Sequence, residues 1–459
     1  MNTVFIVHCI DTEGPLYESM SETFKRLKSI FNIDIEPTRE NLEKLQKTEI
    51  DLGSLESSVQ KVVDPHLLNY LDTWDKIDQM LDQILSPRFR NKYPDSKNNG
   101  WIYNWHCLDH VYYNINPRRR DIGFHNIFNH YQEKLITTDS KQDGLHFHFH
   151  PNHPILKDAS MSATHWFSSS NHLFEILSRR IIDHNWFPSV NRPGFHVNRP
   201  DSDWFLEQYI PFDYSNQSVQ LTKDDENQID LADGRFGDWR RAPKTWTPYH
   251  PAHDDYQEPG DCRRWIARCL NIGTRLRLLT EKEIASAFEE SQNGKPVILA
   301  FANHDFRDIR DDISNTYSMI KKVSADFPGV NFEYAEAVDA FRNAMDLPLE
   351  PRCELDVGLN QNGSGHLLTI SASQKTFGPQ PFFCYRTRTG KYVHDNLDFE
   401  ESFKKWTYSF DDQTVQLDSI DQIGIGTNTG YGITTVVNID TRSGDVTSKY
   451  WNEPDSNIS

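Results

Sequence analysis

An apolar run at residues 3–10 ends in two carboxylates, and this feature constrains the fold more than any other part of the sequence. Asp11 and Glu13 follow the run directly and are succeeded by Gly14 and Pro15. A short apolar run that stops at a turn signal indicates a buried strand. Strand side chains alternate with a period of two, so Asp11 and Glu13 point to the same side if the backbone stays extended. We therefore expect a core strand that delivers two acids to one place.

The middle of the chain, from about residue 140 to residue 345, alternates short apolar runs with helical patterns. This alternation is typical of a β/α architecture, in which crossover helices cover the strands. One such run, residues 296–302, predicts a buried strand that leads to His304. Upstream of it, Thr280 and Glu283 form a capping-box pattern, which predicts the start of a helix.

The two flanking regions differ from this middle part. Residues 16 to about 140 are polar and helix-leaning, with a predicted helix over residues 66–85. The aromatic-rich stretch at residues 101–131 is interpreted as core packing, with a lid over a substrate as the alternative. Beyond residue 351 the pattern changes to period two with many turn residues, which predicts an all-β domain, a sandwich, over 351–459. The domain boundary is therefore placed at about residue 350.

Composition bounds the class of protein. The chain has 459 residues, 37% of them hydrophobic, which fits a globular protein with more than one core. Its net charge of −19 argues against nucleic acid or an anionic membrane as a partner, and the basic cluster at residues 118–120 is interpreted as a solvated face.

No stretch approaches about 20 apolar residues, so we expect no membrane span. The six cysteines lack paired spacing and predict buried free thiols. No basic leader precedes the first strand, so the expected compartment is the cytoplasm.

A cluster of three histidines, His146, His148 and His150, is followed by Pro151. On a flat strand all three imidazoles share one face, but the outer two are separated by about 13 Å of backbone. On a helical turn His146 and His150 would instead lie about 6 Å apart, which suits chelation of an ion. Two arrangements therefore stay open, a His-x-His pair on a strand or the outer pair on a curl.

Five short motifs follow one another along the chain. They are Asp-x-Glu-Gly-Pro after a strand, Gly-x-His-x-x-x-His-Pro, Arg-Pro-Gly, Asp-x-Ser, and a strand that ends in His. This order resembles that of the polysaccharide deacetylase family, carbohydrate esterase family four. The resemblance covers about residues 1–345. It implies an α/β fold, a distorted (β/α) barrel over residues 1–350. The helix-leaning residues at about 16–140 are then an insertion in this barrel, and the β domain predicted from the sequence pattern follows it.

The resemblance also implies a set of site residues and a reaction. The reaction is metal-dependent removal of an N-acyl group, with N-acetyl expected, from a sugar or glycan precursor as substrate. The cofactor is a divalent metal, with zinc the expected ion. By position in the motifs, Asp11 is the general base, Glu13, His146 and His150 are the metal ligands, Arg192 holds the base ionised, Asp213 supports the pocket wall, and His304 is the general acid.

Two alternative functions fit the same sequence. A catalytically silent carbohydrate-binding protein could retain the scaffold, because a fold does not guarantee its usual activity. A hydrolase of cyclic amides is the second alternative, since related barrels act on such bonds.

Overall fold

A computed structural model describes residues 2–113, 115–151, 166–220, 237–348 and 350–453 of the chain. Seven parallel strands close into a barrel, in which the first strand pairs with the seventh along its length and with the second through residues 9–12. An eighth strand pairs with the first half of the first strand, outside the ring. The strands are β1 (Asn2–Thr12), β2 (Asn104–Cys107), β3 (Gly144–Phe149), β4 (Val190–Pro193), β5 (Phe212–Asn216), β6 (Trp265–Asn271), β7 (Val297–His304) and β8 (Val330–Tyr334).

Helices cover the barrel and fill the long connection between β1 and β2. Within the described segments, single turns of 3₁₀ helix lie at Phe167–Ser169, Gly194–His196 and Leu417–Ser419. The described α-helices are α1 (Met20–Phe31), α2 (Arg39–Gln46), α3 (Glu56–Val62), α4 (Pro65–Leu68), α5 (Trp74–Ile84), α6 (Pro87–Arg90), α7 (Asn126–Thr137), α8 (Ser170–His184), α9 (Pro200–Tyr209), α10 (Glu281–Gln292), α11 (Arg310–Ser324) and α12 (Ala337–Ala344).

Strand β1 is buried on both sides, which explains its unbroken apolar sequence. Val7 and Cys9 belong to one buried cluster, with residues of β4, β5, β6, β7 and α12. Ile6 and Ile10 belong to a second cluster, which includes residues of the surrounding helices. The period-two alternation of the strand thus divides its side chains between two cores, and Asp11 shares the parity of Val7 and Cys9.

Two helix predictions differ from the structure in detail. The predicted helix over residues 66–85 is two helices, because Thr73 caps a new start and accepts a hydrogen bond from the Lys76 amide. Thr280 caps α10 as expected, by accepting from the Glu283 amide. The carboxylate of Glu283 instead pairs with Arg268 at 2.6 Å, so the second half of the predicted capping box is replaced by an ion pair with β6.

The connection at residues 16–140 contains more than helices. Strand β2 lies within it and pairs with both β1 and β3, so this segment completes the barrel wall. Trp101, Tyr103 and Trp105 are fully buried in the large core cluster. These three aromatic residues are therefore core packing, as interpreted from the sequence, whereas Tyr112 and Tyr113 further along the stretch are exposed.

The C-terminal region forms two antiparallel sheets. Side chains of both sheets share one buried cluster, and α8 of the barrel domain packs against the five-stranded sheet. The four-stranded sheet has the order β13-β14-β10-β9 and the five-stranded sheet the order β12-β11-β15-β16-β17. Their strands are β9 (Leu355–Asn362), β10 (Gly365–Ala372), β11 (Phe382–Thr387), β12 (Tyr392–Asp395), β13 (Asp398–Glu401), β14 (Lys405–Phe410), β15 (Ile420–Asn428), β16 (Thr434–Asp440) and β17 (Val446–Trp451).

Two further expectations concern the whole chain. All six cysteines lie in described segments and are buried free thiols, as predicted. Within the described ranges, every helix is too short or too polar to cross a bilayer.

Candidate metal centre

The carboxyl ends of four barrel strands bring the polar residues of the site together. The strands run parallel, so their carboxyl ends open at the same mouth of the barrel. Asp11 on β1 is in register with His304 on β7, and His148 on β3 is in register with Arg192 on β4. Residues far apart in sequence are thereby placed in one layer.

Glu13, His148 and His150 form a group, here called the metal triad, that could hold a metal ion. One ligand atom of each residue lies within 4.8 Å of those of the other two. The Nε2 atoms of His148 and His150 are 3.0 Å apart, and Oε1 of Glu13 is 3.4 Å from His150 Nε2 and 3.9 Å from His148 Nε2. Two imidazole nitrogens and one carboxylate oxygen are a donor set found in catalytic zinc sites.

The tautomer of His148 is fixed by a backbone contact. Its Nδ1 lies 2.7 Å from the carbonyl oxygen of Arg192. A carbonyl oxygen can only accept, so Nδ1 carries the hydrogen and Nε2 presents a lone pair to the other two triad residues. Burial lowers the pKa of His148 to about 4, which keeps the imidazole neutral, as a metal ligand requires.

Two glycines make room for the triad. Gly14 adopts a φ of +68°, a left-handed conformation that a larger residue would adopt only with strain. This turn follows Glu13 immediately. A Cβ atom on Gly194 would lie 2.3 Å from the His150 ring. The glycine of the Arg-Pro-Gly motif is thus needed because His150 packs directly against the backbone there.

The position of Glu13 is held from two sides. Its Oε2 pairs with Arg120 at 3.0 Å, while Oε1 faces the histidines. Burial opposes ionisation of Glu13, but the Arg120 charge and His150 outweigh it and hold the pKa well below its usual range. The Asp305 carboxylate accepts hydrogen bonds from the Glu13 and Gly14 amides at 2.8 and 2.9 Å. Asp305 therefore fixes the backbone that carries the ligand.

Asp11 lies beside the triad and pairs with Arg192. The guanidinium donates from Nε to Oδ1 at 2.5 Å and from Nη2 to Oδ2 at 3.2 Å. Burial disfavours the charged carboxylate, but Arg192, followed by His148 and His304, lowers the pKa of Asp11 below its ordinary value. The structure thus contains the Asp11–Arg192 contact that the motif order implied.

His304 completes this layer. Its Nε2 is 3.8 Å from Asp11 Oδ2 and 3.9 Å from Glu13 Oε1. The side chain is 26% exposed, so it is open to a ligand, and its ring packs against Phe306 with centroids 4.7 Å apart. Burial lowers the pKa of His304 to about 4. Its Nδ1 is buried and has no hydrogen-bond partner in the described part of the chain.

His146 takes a different place from the one that the motif resemblance assigns to it. Its Nε2 lies 2.8 Å from Glu336 Oε1 and 3.2 Å from Asn104 Oδ1. His146 precedes His148 by one strand repeat, which puts it one layer deeper in the barrel. The triad therefore contains His148 where the resemblance implied His146. Of the two arrangements left open by the sequence, the structure has the His-x-His pair, His148 and His150, at the end of an extended strand.

Asp213 is buried within the barrel wall. It accepts hydrogen bonds from Ser215 at 2.8 Å, Asn191 at 3.2 Å and Arg264 at 3.0 Å. It does not belong to the described lining of the pocket that contains Asp11. The Asp-x-Ser pair thus links β4, β5 and the residue that precedes β6, outside the described lining of the pocket in which it was expected.

Two residues of the site were missed by sequence reasoning. The basic cluster that contains Arg120 was interpreted as a solvated face, which is wrong for Arg120, since its side chain is 14% exposed and pairs with Glu13. Asp305 was not assigned a role, although it directly follows His304. Its hydrogen bonds to Glu13 and Gly14 span more than 290 positions, and such a contact leaves no local signal.

A pocket opens beside these residues, with a cavity volume of about 230 Å³. Asp11, His304 and all three triad residues line it. Other parts of the lining come from the β1–β2 connection and from the segment after β6. The residues of these parts include Arg26, Leu67, Tyr70, Thr274, Arg275 and Leu276.

No protein-family model, curated protein or solved structure matches this chain. The fold described here is a parallel α/β barrel with a β domain behind it. Membership of the polysaccharide deacetylase family stays a prediction from motif order. The function is therefore inferred from the chemistry of the site residues.

Proposed function

We propose that the protein is a metal-dependent hydrolase that removes an N-acyl group, N-acetyl in the simplest case, from a sugar or glycan precursor. The observation that carries this proposal is the convergence of the metal triad with Asp11 and His304 in one pocket. Ligands for an ion, a base and a proton donor are the three parts that hydrolysis of an amide needs.

The triad fits a zinc-sized ion. Bonds of about 2.1 Å in tetrahedral geometry place the ligand atoms about 3.4 Å apart, and the triad atoms are 3.0, 3.4 and 3.9 Å apart. Three protein ligands leave a position for water or substrate, as in catalytic zinc sites. An ion held there would polarise the acyl carbonyl and lower the pKa of a bound water towards neutrality.

Asp11 acts as the general base in this proposal. The Arg192 guanidinium keeps the carboxylate ionised and fixes its orientation. Asp11 accepts a proton from the attacking water, and the electron pair of that O–H bond forms the new bond to the acyl carbon. Because both carboxylate oxygens are held by Arg192, the proton acceptor is positioned before the substrate binds.

His304 supplies a proton to the departing nitrogen. An amine expelled without a proton is a very poor leaving group, so the C–N bond breaks as the imidazole protonates it. His304 is neutral in the free site because burial lowers its pKa to about 4, so the proton that Asp11 takes from water must reach it first. Nε2 of His304 lies 3.8 Å from Asp11 Oδ2, and a water or substrate oxygen between them carries the proton. The cycle then ends with a free amine, a carboxylic acid product and both side chains restored.

The direct test is hydrolysis by the full chain loaded with zinc. Release of acetate from N-acetylglucosamine and its oligomers, measured with an enzyme-coupled acetate assay, is the expected result. A protein that binds these sugars without releasing acetate is a carbohydrate-binding protein, and release of ammonia or ring-opened product from cyclic amides alone indicates the other hydrolase class. Either outcome would overturn the proposal.

A variant of His304 tests the proton donor. His304→Ala is expected to lower kcat by about 100-fold or more, because general acid catalysis contributes about 10²–10⁴-fold. Zinc content and KM should change little, since His304 lies outside the triad. His304→Ala with unchanged kcat would show that the amine is protonated by another group.

A further inference from the structure

Three arginines line the pocket that contains the metal triad. Arg26 lies on α1, Arg275 follows β6, and Arg307 follows β7, so three separate segments each place a guanidinium on its wall. The chain as a whole carries a net charge of −19. A concentration of arginines in one pocket of an acidic protein is therefore a local feature that needs an explanation.

The carboxylates of the pocket do not pair with Arg26 or Arg307. The described lining residues include two acids, Asp11 and Glu13. Asp11 is paired with Arg192, and Glu13 is paired with Arg120. Arg192 and Arg120 do not belong to the lining, so both acids are neutralised by arginines outside the pocket.

Arg307 is surrounded by uncharged groups. Its guanidinium lies over the rings of Tyr70 and Phe306, 5.2 and 4.9 Å from their centroids, and its Nε donates to the Leu67 carbonyl at 3.1 Å. No carboxylate of the described chain lies within ion-pair distance of it. Burial lowers the pKa of Arg307, which reflects the cost of this unbalanced charge. An anionic ligand would offset that cost.

Arg26 also carries a hydrogen-bond donor that has no acceptor among the described residues. Its one carboxylate partner, Glu18, is shared with Arg118, at 2.8 and 2.5 Å respectively. The Nε of Arg26 is buried and has no hydrogen-bond partner among the described residues. A buried donor without an acceptor is uncommon in folded proteins and calls for an explanation, such as a bound ion or water.

We propose that the substrate carries an anionic group, a phosphate or a carboxylate, which Arg307 and Arg26 bind beside the metal triad. A guanidinium presents a planar fork of donors that matches both groups. Arg275 also lines the adjoining cavity of about 570 Å³, together with Leu67 and Thr274. A substrate longer than one sugar can therefore continue past Arg275. That the anion belongs to a substrate rests on the proposed function.

The binding test uses inorganic phosphate as the probe. Isothermal titration of the full chain, with chelator present so that phosphate cannot bind an ion, is expected to show a single weak site. Arg307→Gln should weaken it about 10-fold or more, because hydrogen bonds between charged groups are the strong ones. Arg310→Gln is the matched control, since Arg310 begins α11, pairs with Asp308 just before that helix and does not line the pocket. Equal phosphate binding by both variants, or none by the wild type, would overturn the inference.

The kinetic test compares three sugars that differ in charge. N-acetylglucosamine 6-phosphate or N-acetylmuramic acid should have a kcat/KM at least 10-fold above that of N-acetylglucosamine, and the better of the two identifies the anion. Arg307→Gln should abolish the difference and Arg307→Lys should retain part of it, which separates loss of charge from misfolding. Equal kcat/KM for all three sugars would overturn the anion site and leave the deacetylase proposal intact. Arg307-dependent phosphate binding without any hydrolysis would support the anion site and contradict the enzyme.

Discussion

The guanidinium of Arg192 donates two hydrogen bonds to the carboxylate of Asp11, across 181 positions of sequence. Both side chains are buried, Arg192 fully and Asp11 to within a few per cent. A buried ion pair is costly to break because the remaining partner is left as an unpaired charge. The pair therefore contributes to stability and to the ionisation of the proposed base at the same time.

A double-mutant cycle on this pair separates the two contributions. Arg192→Met should destabilise the fold by about 3 kcal/mol, since it strands a buried carboxylate, and should lower kcat/KM by about 100-fold because the pKa of Asp11 rises. Adding Asp11→Asn should restore part of the stability and none of the activity. Urea unfolding and acetate release measure the two quantities. Full activity in Arg192→Met would show that Arg192 is not needed to keep Asp11 ionised and oriented, and full activity in Asp11→Asn would show that Asp11 is not the base.

Asp305 offers a test of the backbone that carries Glu13. Asp305→Asn removes one of the two acceptors for the Glu13 and Gly14 amides, so zinc affinity should fall by about 10–100-fold, the usual effect of losing an outer support of a metal ligand. Tyr131→Phe, which removes only the 3.0 Å bond from the phenol to Asp305, is the milder control. Competition with a chromophoric chelator gives the affinities. Unaltered zinc affinity in Asp305→Asn would show that Asp305 does not support Glu13 as a metal ligand.

His8 makes stability depend on pH. Burial lowers its pKa from 6.5 to about 4, while it accepts from Trp101 and bonds to Asn303. Its folded pKa lies below the unfolded one, so its contribution is complete above pH 6.5 and is lost as the pH falls towards 4. From pH 7 to pH 5 this loss is about 2 kcal/mol. In His8→Gln, the loss of unfolding free energy between pH 7 and pH 5 should be smaller by that amount. The same loss in the variant and the wild type would show that His8 titrates normally.

The parts of the site that sequence could predict are those encoded locally. The strand with Asp11 and Glu13 at its end, and the strand ending in His304, follow from hydrophobic pattern alone. Parallel strands bring their carboxyl ends together, so their meeting was expected once a β/α order was recognised. The contact of Arg192 with Asp11 required the motif resemblance, because nothing in the spacing joins two residues so far apart.

The choice between His146 and His148 could not be made from the sequence. It depends on whether the backbone stays extended through Phe149, which the pairing of β3 with β4 decides. Strand β2 was hidden for a related reason, since four residues are too few for a period-two signal. Arg120 pairs with Glu13 from the distant β1–β2 connection, and a basic triplet alone does not distinguish a buried ion pair from a solvated face.

Metal content tests the central claim most directly. Full-length protein, purified without chelator and dialysed against metal-free buffer, is analysed for zinc by mass spectrometry beside the matched variants His148→Gln and His146→Gln. The account predicts about one zinc per chain in the wild type and in His146→Gln, and a loss of most of it in His148→Gln. A wild type that holds no stoichiometric divalent ion, or a metal content that depends on His146 and not on His148, would contradict it.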